Sequence, residues 1–303
     1  MHPAQIDTDD DAVSHKPVKV YTKEDAIAWR KTMLAIARTD PDAWVSPFGD
    51  ESVQGYKTDK QPIMDGIQDI KTVVKILEDA GVSCCMVAEP ALIYYGTNRL
   101  KMEWIMCVPT EFVEKAADLF RAQPDAFELF RPSALSRSEG MEHLYPRFKF
   151  VGMALFFTLM SSQACHLPCD PNNIEYSHNG IPYPKLPAYA QSLLDTWNIV
   201  DLDDLVDGMN LSLKWGEENL DLEGTIDAEW GRWRADALHG GKAEAGFIPR
   251  WCSNPKKKRD IWAETVSAEA KKNRQGWKYS AKYETRFSKF GRQDPRLTKR
   301  DFC

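Results

Sequence analysis

The chain has 303 residues, 43% of them hydrophobic, and a formal net charge of −6. That apolar content is enough for one large domain or two small ones. Apolar runs stay well below the roughly 18 residues of a membrane-spanning helix, and the acidic start lacks the pattern of a secretory signal, so we expect neither. The odd number of cysteines, several in predicted buried strands, favours a reducing cytosol.

The charge is unevenly distributed along the chain. Residues 231–303 carry 19 Lys and Arg against 8 Asp and Glu, whereas the preceding residues carry 20 and 37. A basic end of this kind is typical of proteins that bind nucleic acid or another anionic surface. The same split also fits a basic end that packs on the acidic body of its own chain, and the sequence leaves both interpretations open.

The N-terminal part has few strong signals. Residues 1–18 are acidic and polar, which predicts disorder. Thr22 and Asp25 form a capping box that opens a helix ending before Pro41. Residues 43–62 contain prolines and glycines and are predicted to form a loop.

The stretch from Asp65 to Arg121 predicts helix, strand, short helix, strand and helix. Its strands are Val82–Ala88 and Met102–Val108, both almost free of polar residues and therefore suited to a sheet buried on both faces. Pro90 suits the first turn of the short helix, and Thr110 is predicted to cap the last one. Alternating strands and helices of this kind predict a mixed α/β (α+β) domain.

Further elements follow this stretch. Residues 147–151 and 154–160 predict strands, Asn179-Gly180 predicts a hairpin turn, and residues 187–196, 201–209, 226–238 and 260–273 predict helices. We place an α/β domain at 19–222 and a mainly helical, basic region at 223–303.

The run from Met86 to Arg99, followed by Met102–Val108, resembles the nucleotidyltransferase superfamily. In that superfamily a glycine pair follows the first strand, and the second strand bears two aspartates. Here the glycine pair is replaced by Ala88-Glu89, and the aspartates by Glu103 and Ile105. The chain is most similar to uncharacterised fungal proteins with the same changes. The resemblance covers about residues 65–222 and implies a degenerate nucleotidyltransferase-like fold.

These replacements argue against ordinary nucleotidyl transfer. That reaction uses two divalent cations held about 3.5–4 Å apart by carboxylates, and Glu103 beside Ile105 offers only one carboxylate. Glu89 would also repel a triphosphate at the helix start. We therefore expect no cofactor, with Mg²⁺ disfavoured. The polar residues left at the old catalytic positions, and so our catalytic candidates, are Glu89, Arg99 and Glu103.

Two further clusters contain residue types that can bind a metal ion. Cys165, His166 and Cys169, with His178 as a fourth ligand, could hold zinc, but a structural strand exit is the favoured interpretation. The acids at 201, 203, 204 and 207 fall on one side of a helix whose other side is apolar, which predicts a solvated face rather than a metal site. We assign no metal ligands.

The basic region mixes cations and aromatic residues, a pattern typical of single-stranded nucleic-acid binding. The candidate contacts are Lys256, Lys257, Lys258, Arg259, Trp277, Lys278, Tyr283 and Arg286. A segment wrapped over the acidic body is the alternative that we slightly favour, because so many exposed aromatic residues would be costly. The Lys256–Arg259 cluster also fits a nuclear localisation signal.

Two functions therefore compete. The first is a repurposed transferase-type enzyme of the cytoplasm or nucleus that uses RNA or aminoacyl-tRNA. Cyclodipeptide synthases of fungal secondary metabolism are an example, although none of their motifs is matched here. The second is a non-catalytic scaffold that binds a small ligand, RNA or a protein, in which Arg99 and Glu103 form an ion pair.

Overall fold

The computed structural model describes residues 66–101, 103–130, 140–153, 155–241, 245–274 and 276–298. These residues fall within one compact unit of the chain. The disorder predicted for 1–18, the helix opened by Thr22 and the loop at 43–62 lie outside the described residues. The boundary placed at residue 222 stays a prediction.

The mixed α/β class is confirmed, and the central stretch has the predicted order. Its helices are α1 (Ile67–Asp79), α2 (Glu89–Tyr94) and α3 (Val113–Arg121). Its strands are β1 (Cys85–Val87) and β2 (Trp104–Val108), and both are buried along their whole length. Thr110 does not cap α3 with its side chain; its hydroxyl contacts Ser162 Oγ at 3.0 Å instead.

Five strands form one mixed sheet in the order β1-β2-β5-β4-β3. The remaining strands are β3 (Phe127–Leu129), β4 (Arg147–Phe150) and β5 (Phe156–Ser161). β2 and β5 run parallel, whereas the other pairs are antiparallel. β2 is an interior strand, paired on both sides by β1 and β5, and its wholly apolar sequence suits a strand buried on both faces.

A hairpin of β6 (Ile174–Tyr176) and β7 (Pro182–Pro184) follows the sheet. Its turn lies at Asn179-Gly180 as predicted, and Gly180 has a φ of 77°, a conformation that glycine adopts without strain.

The rest of the described chain is mainly helical. The helices are α4 (Leu186–Asp195), α5 (Ile199–Met209), α6 (Leu213–Asn219), α7 (Ala228–Leu238), α8 (Lys258–Thr265) and α9 (Ala268–Lys272). The single helix predicted for 260–273 is thus two helices. Ser267 interrupts it, because its hydroxyl accepts a hydrogen bond from the backbone N–H of Ala270 and begins α9. Among the described residues, no helix is both long and apolar enough to cross a membrane.

The two faces of the sheet belong to different apolar clusters. One face, with Met86 and Met106, joins the main core beneath α1 and α3. The other face, with Val87, Ile105 and Met160, joins a smaller cluster. Since side chains alternate along a strand, β1, β2 and β5 each contribute to both clusters.

Candidate functional site

A cleft of about 430 Å³ lies on the face of the sheet that carries Val87, Ile105 and Met160. Ile105, which the predicted resemblance aligns with the second aspartate, lines this cleft. The opposite wall and rim come from α4, α5, α7 and their connecting segments. They include Tyr189, Ser192, Trp197, Asn198, Asp201, Trp230, Arg234 and Trp251.

Aromatic rings dominate the far wall of the cleft. Trp197 and Trp251 pack edge to face with ring centroids 5.9 Å apart. The indole N–H of Trp230 donates a hydrogen bond to the carbonyl oxygen of Gln163 at 2.9 Å. Gly231 has no side chain to obstruct Trp251, since a Cβ there would lie 2.3 Å from the indole ring. These contacts fix the rings in a surface suited to stacking.

Backbone strain is concentrated beside this cleft. Among the described residues other than glycine, positive φ values occur at Ala88, His166, Trp197 and Asn210. Ala88 and Trp197 line the cleft, and His166 lies between two lining residues. Such conformations persist only when the surrounding structure enforces them, and they are frequent at functional sites.

Ala88 forms the turn between β1 and α2, with φ 54° and ψ −134°. The predicted resemblance aligns this residue with the first glycine of the superfamily. Its carbonyl oxygen accepts hydrogen bonds from Leu92 N–H at 3.0 Å and from the Tyr189 hydroxyl at 3.3 Å. The turn therefore has a conformation typical of glycine although the residue is alanine, and Glu89 follows it as the first residue of α2.

Glu89 is the predicted catalytic residue whose environment is most perturbed. Burial raises the pKa of its carboxyl, and the charge of Asp201 raises it further, whereas Arg99 opposes the shift. Asp201 lines the cleft, and burial raises the pKa of its carboxyl as well. A carboxyl with a raised pKa can give and take a proton closer to neutral pH.

Arg99 lies near Glu89 but does not pair with Glu103, so the ion pair suggested for the scaffold hypothesis is wrong. The Arg99 guanidinium contacts Asp201 at 2.7 Å and also pairs with Asp204. Glu103 instead pairs with Arg147 of β4, whose guanidinium lies 4.2 Å from the ring centroid of Phe156. Arg99 is therefore close enough to Glu89 to influence the pKa of its carboxyl, although neither is a lining residue of the cleft, and Glu103 is held in a separate ion pair.

The solvated face predicted for α5 is also wrong. Asp204 is 5% exposed and Asp207 is fully buried. Arg286 pairs with both carboxylates, and Arg274 pairs with Asp203 at 2.7 Å and with Asp207. The physical reason is that the basic C-terminal segment covers this side of the helix. The sequence feature that could have predicted this contact is the opposite net charge of the two regions.

The nucleic-acid candidates fall into two groups. Lys258 is buried, 2.8 Å from Asp221, and Arg286 is held by α5; in both cases a phosphate would have to displace a carboxylate. Arg259 pairs with Glu223 on the surface, and Tyr283 lies 5.4 Å beneath the ammonium group of Lys289. The exposed candidates are Lys256, Lys257 and Lys278, with Trp277 half-buried.

Lys256 connects the basic cluster to the cleft. Its ammonium group lies 5.1 Å from the ring centroid of Trp197, which lines the cleft. The sequence did not indicate this proximity, because the two residues are far apart along the chain.

The grouping of Cys165, His166, Cys169 and His178, for which zinc was the disfavoured interpretation, is not the cluster that the structure brings together. The imidazole of His166 contacts Asp227 at 3.0 Å, and His178 is exposed. Sulfur atoms of Cys85, Cys107 and Cys169 converge instead. Cys85 and Cys107 lie on two strands that the sequence predicts, but the register in which these strands pair could not be predicted from the sequence.

No family model and no curated protein matches the chain. Among solved structures it is similar to JHP933 from Helicobacter pylori, at 13% sequence identity and a TM-score of 0.29, over 66% of this chain and 86% of that chain. A similarity this low supports no conclusion about fold or function. The resemblance to the nucleotidyltransferase superfamily stays a prediction.

Proposed function

We propose that the protein is a transferase-type enzyme whose cleft works without a carboxylate-held metal pair. The observation that carries this proposal is the position of Glu89. It follows the strained turn at Ala88, near the Arg99–Asp201 pair at the cleft, with a raised pKa. A proton-transfer group beside an aromatic cleft is what acid–base group transfer requires.

The donor that we infer is an aminoacyl-tRNA. The exposed Lys256 and Lys257 lie where a nucleic-acid backbone would approach the cleft, since Lys256 contacts the ring of Trp197. Lysine side chains neutralise phosphates, and tryptophan rings stack with bases or other flat groups. The small size of the cleft suits the amino-acyl end of such a donor rather than its folded body.

The residues suggest a simple reaction. An amine of the acceptor attacks the ester carbonyl, an amide bond forms, and the ester bond to the tRNA breaks. Ionised Glu89 takes the proton released by the amine and returns it to the departing 3′ oxygen. Arg99 positions Glu89 and Asp201 through its charge.

The first test is to purify the protein from its native source and identify bound RNA and small molecules by sequencing and mass spectrometry. We expect tRNA at near-stoichiometric amounts. Labelled aminoacyl-tRNAs should then lose their amino-acyl group to an amide product. A protein that binds no RNA even at low salt, and releases no product, contradicts this proposal.

The Glu89→Gln variant tests the residue itself. The amide keeps the shape of the carboxyl but cannot take the proton, so we expect turnover to fall by roughly 10²–10⁴-fold with tRNA affinity unchanged. Glu114→Gln, an exposed residue of α3, is the control and should turn over normally. Unchanged turnover in Glu89→Gln would remove Glu89 from the reaction.

The alternative is a non-catalytic scaffold. Arg99 pairs with Asp204, and Glu103 pairs with Arg147, so both side chains already have structural partners, which favours this alternative. A scaffold that binds RNA would show a linear fall of log affinity with log salt concentration but no product.

A further inference from the structure

Sulfur atoms from three separate segments converge on the cleft side of the sheet. Cys85 and Cys107 are register partners on β1 and β2, so their side chains leave the same face. Cys169 lies in the segment after β5, and its Sγ is 3.3 Å from the carbonyl oxygen of Cys107. The three Sγ atoms lie within 4.8 Å of one another, and all three residues are buried.

A fourth cysteine links this group to the cleft. Cys165 lines the cleft and lies close enough to Cys107 to raise the pKa of its thiol. It is therefore the cysteine of this region that lies between the cleft and the buried group. Met141, Met160 and Leu167 surround the group with apolar side chains.

We propose that Cys85, Cys107 and Cys169 bind a thiophilic d¹⁰ metal ion; Cys165 lies outside the set of sulfurs within 4.8 Å of one another and would have to move closer to complete a four-sulfur site for Zn²⁺. Metal–sulfur bonds of about 2.3 Å place ligand sulfurs roughly 3.8–4.0 Å apart, which the existing spacing reaches with small side-chain rotations. Cu⁺ is satisfied by the three buried sulfurs alone, since soft thiolates suit it at low coordination number.

Hydrogen bonds from Cys107 and Cys85 lower the pKa of Cys169 to about 5. Hydrogen bonds with Cys165, Cys169 and Cys85 raise the pKa of Cys107 well above its usual value. Metal binding would replace these protons and release them to solvent.

Packing alone would be the ordinary role of a buried cysteine, and Cys84 illustrates it. Cys84 is adjacent to Cys85 and equally buried, but it belongs to the main core on the other face. It is therefore the matched control for the site.

The test exposes the reduced full-length protein to Zn²⁺ or Cu⁺ without oxygen, desalts it and measures metal per chain. We expect about one ion per chain in the wild type and in Cys84→Ser, and a more than tenfold loss of affinity in Cys107→Ser and Cys169→Ser. Cys165→Ser should lose Zn²⁺ but keep Cu⁺, which separates the two ions.

A wild-type protein that retains neither metal would overturn the proposal, as would equal retention in Cys169→Ser. If the serine variants do not fold, Co²⁺ added to the wild type decides the question: thiolate-to-cobalt charge-transfer bands are expected, and their absence would also overturn it. The outcome is independent of Glu89, because metal retention is measured without turnover.

Discussion

Ala88 holds a backbone conformation that glycine adopts readily and alanine rarely, with φ 54° and ψ −134°. Strain of this kind costs roughly 1–3 kcal/mol per residue. We expect Ala88→Gly to raise the free energy of unfolding by about 1 kcal/mol, because relief of strain outweighs the greater backbone entropy of glycine in the unfolded chain. Urea denaturation measures the change.

Ala91→Gly is the control for this substitution. Ala91 lies within α2 and is fully buried, so glycine there should lower the free energy of unfolding by about 1 kcal/mol. Equal destabilisation by both substitutions would show that the turn at Ala88 is not strained.

At the scale of single elements, α5 carries carboxyl groups whose pKa is higher in the folded protein than in the unfolded chain. Burial raises the pKa of Asp203 from 3.8 to about 6, although Arg274 and Arg286 oppose the shift. Between these values the folded protein retains a proton that the unfolded chain has lost. The stability that this proton contributes is complete below the unfolded pKa and disappears as the pH rises through about 6.

We therefore compare the wild type with Asp203→Asn, which cannot titrate. The stability of the wild type relative to this variant should fall as the pH rises from about 4 to about 7. Thermal or urea unfolding over this range measures the difference. Asp79→Asn, at an exposed position on α1, is the control for replacing an aspartate by asparagine. A wild-type advantage that grows with pH would contradict the prediction.

At the scale of the whole molecule, the basic C-terminal segment is fastened to the acidic body through buried charges. Arg286 pairs with Asp204 and Asp207, and the hydroxyl of Thr285 donates to the carbonyl oxygen of Asp207 at 2.6 Å. Further along, Arg296 lies 3.5 Å from Glu175 of β6. These contacts join distant parts of the chain, which supports the packing interpretation of the charge asymmetry.

Arg286→Ala should lower the free energy of unfolding by roughly 3–5 kcal/mol, because it leaves buried carboxylates with too little positive charge. Exchange of backbone amide hydrogens should become faster in residues 276–298. Arg259→Ala removes only exposed ion pairs and should cost at most about 1 kcal/mol. Similar losses in both variants would show that the buried network contributes little.

The sequence by itself determined the order of elements from Ile67 to Arg121, the hairpin at Asn179-Gly180 and the mixed α/β class. These features depend on local periodicity and turn chemistry, which neighbouring residues specify. The opposite charges of the two regions were also visible, although their consequence was not.

Only the tertiary structure decided which charges meet. Periodicity shows that α5 has an apolar side, but whether its acidic side faces water depends on a segment some eighty residues later, as the pair of Asp207 with Arg286 shows. The partner of Glu103 depends in the same way on the pairing of β4 and β5. The convergence of Cys85, Cys107 and Cys169 depends on the register of the paired strands. Contacts between residues far apart in sequence are set by packing of the whole chain, so no local pattern encodes them.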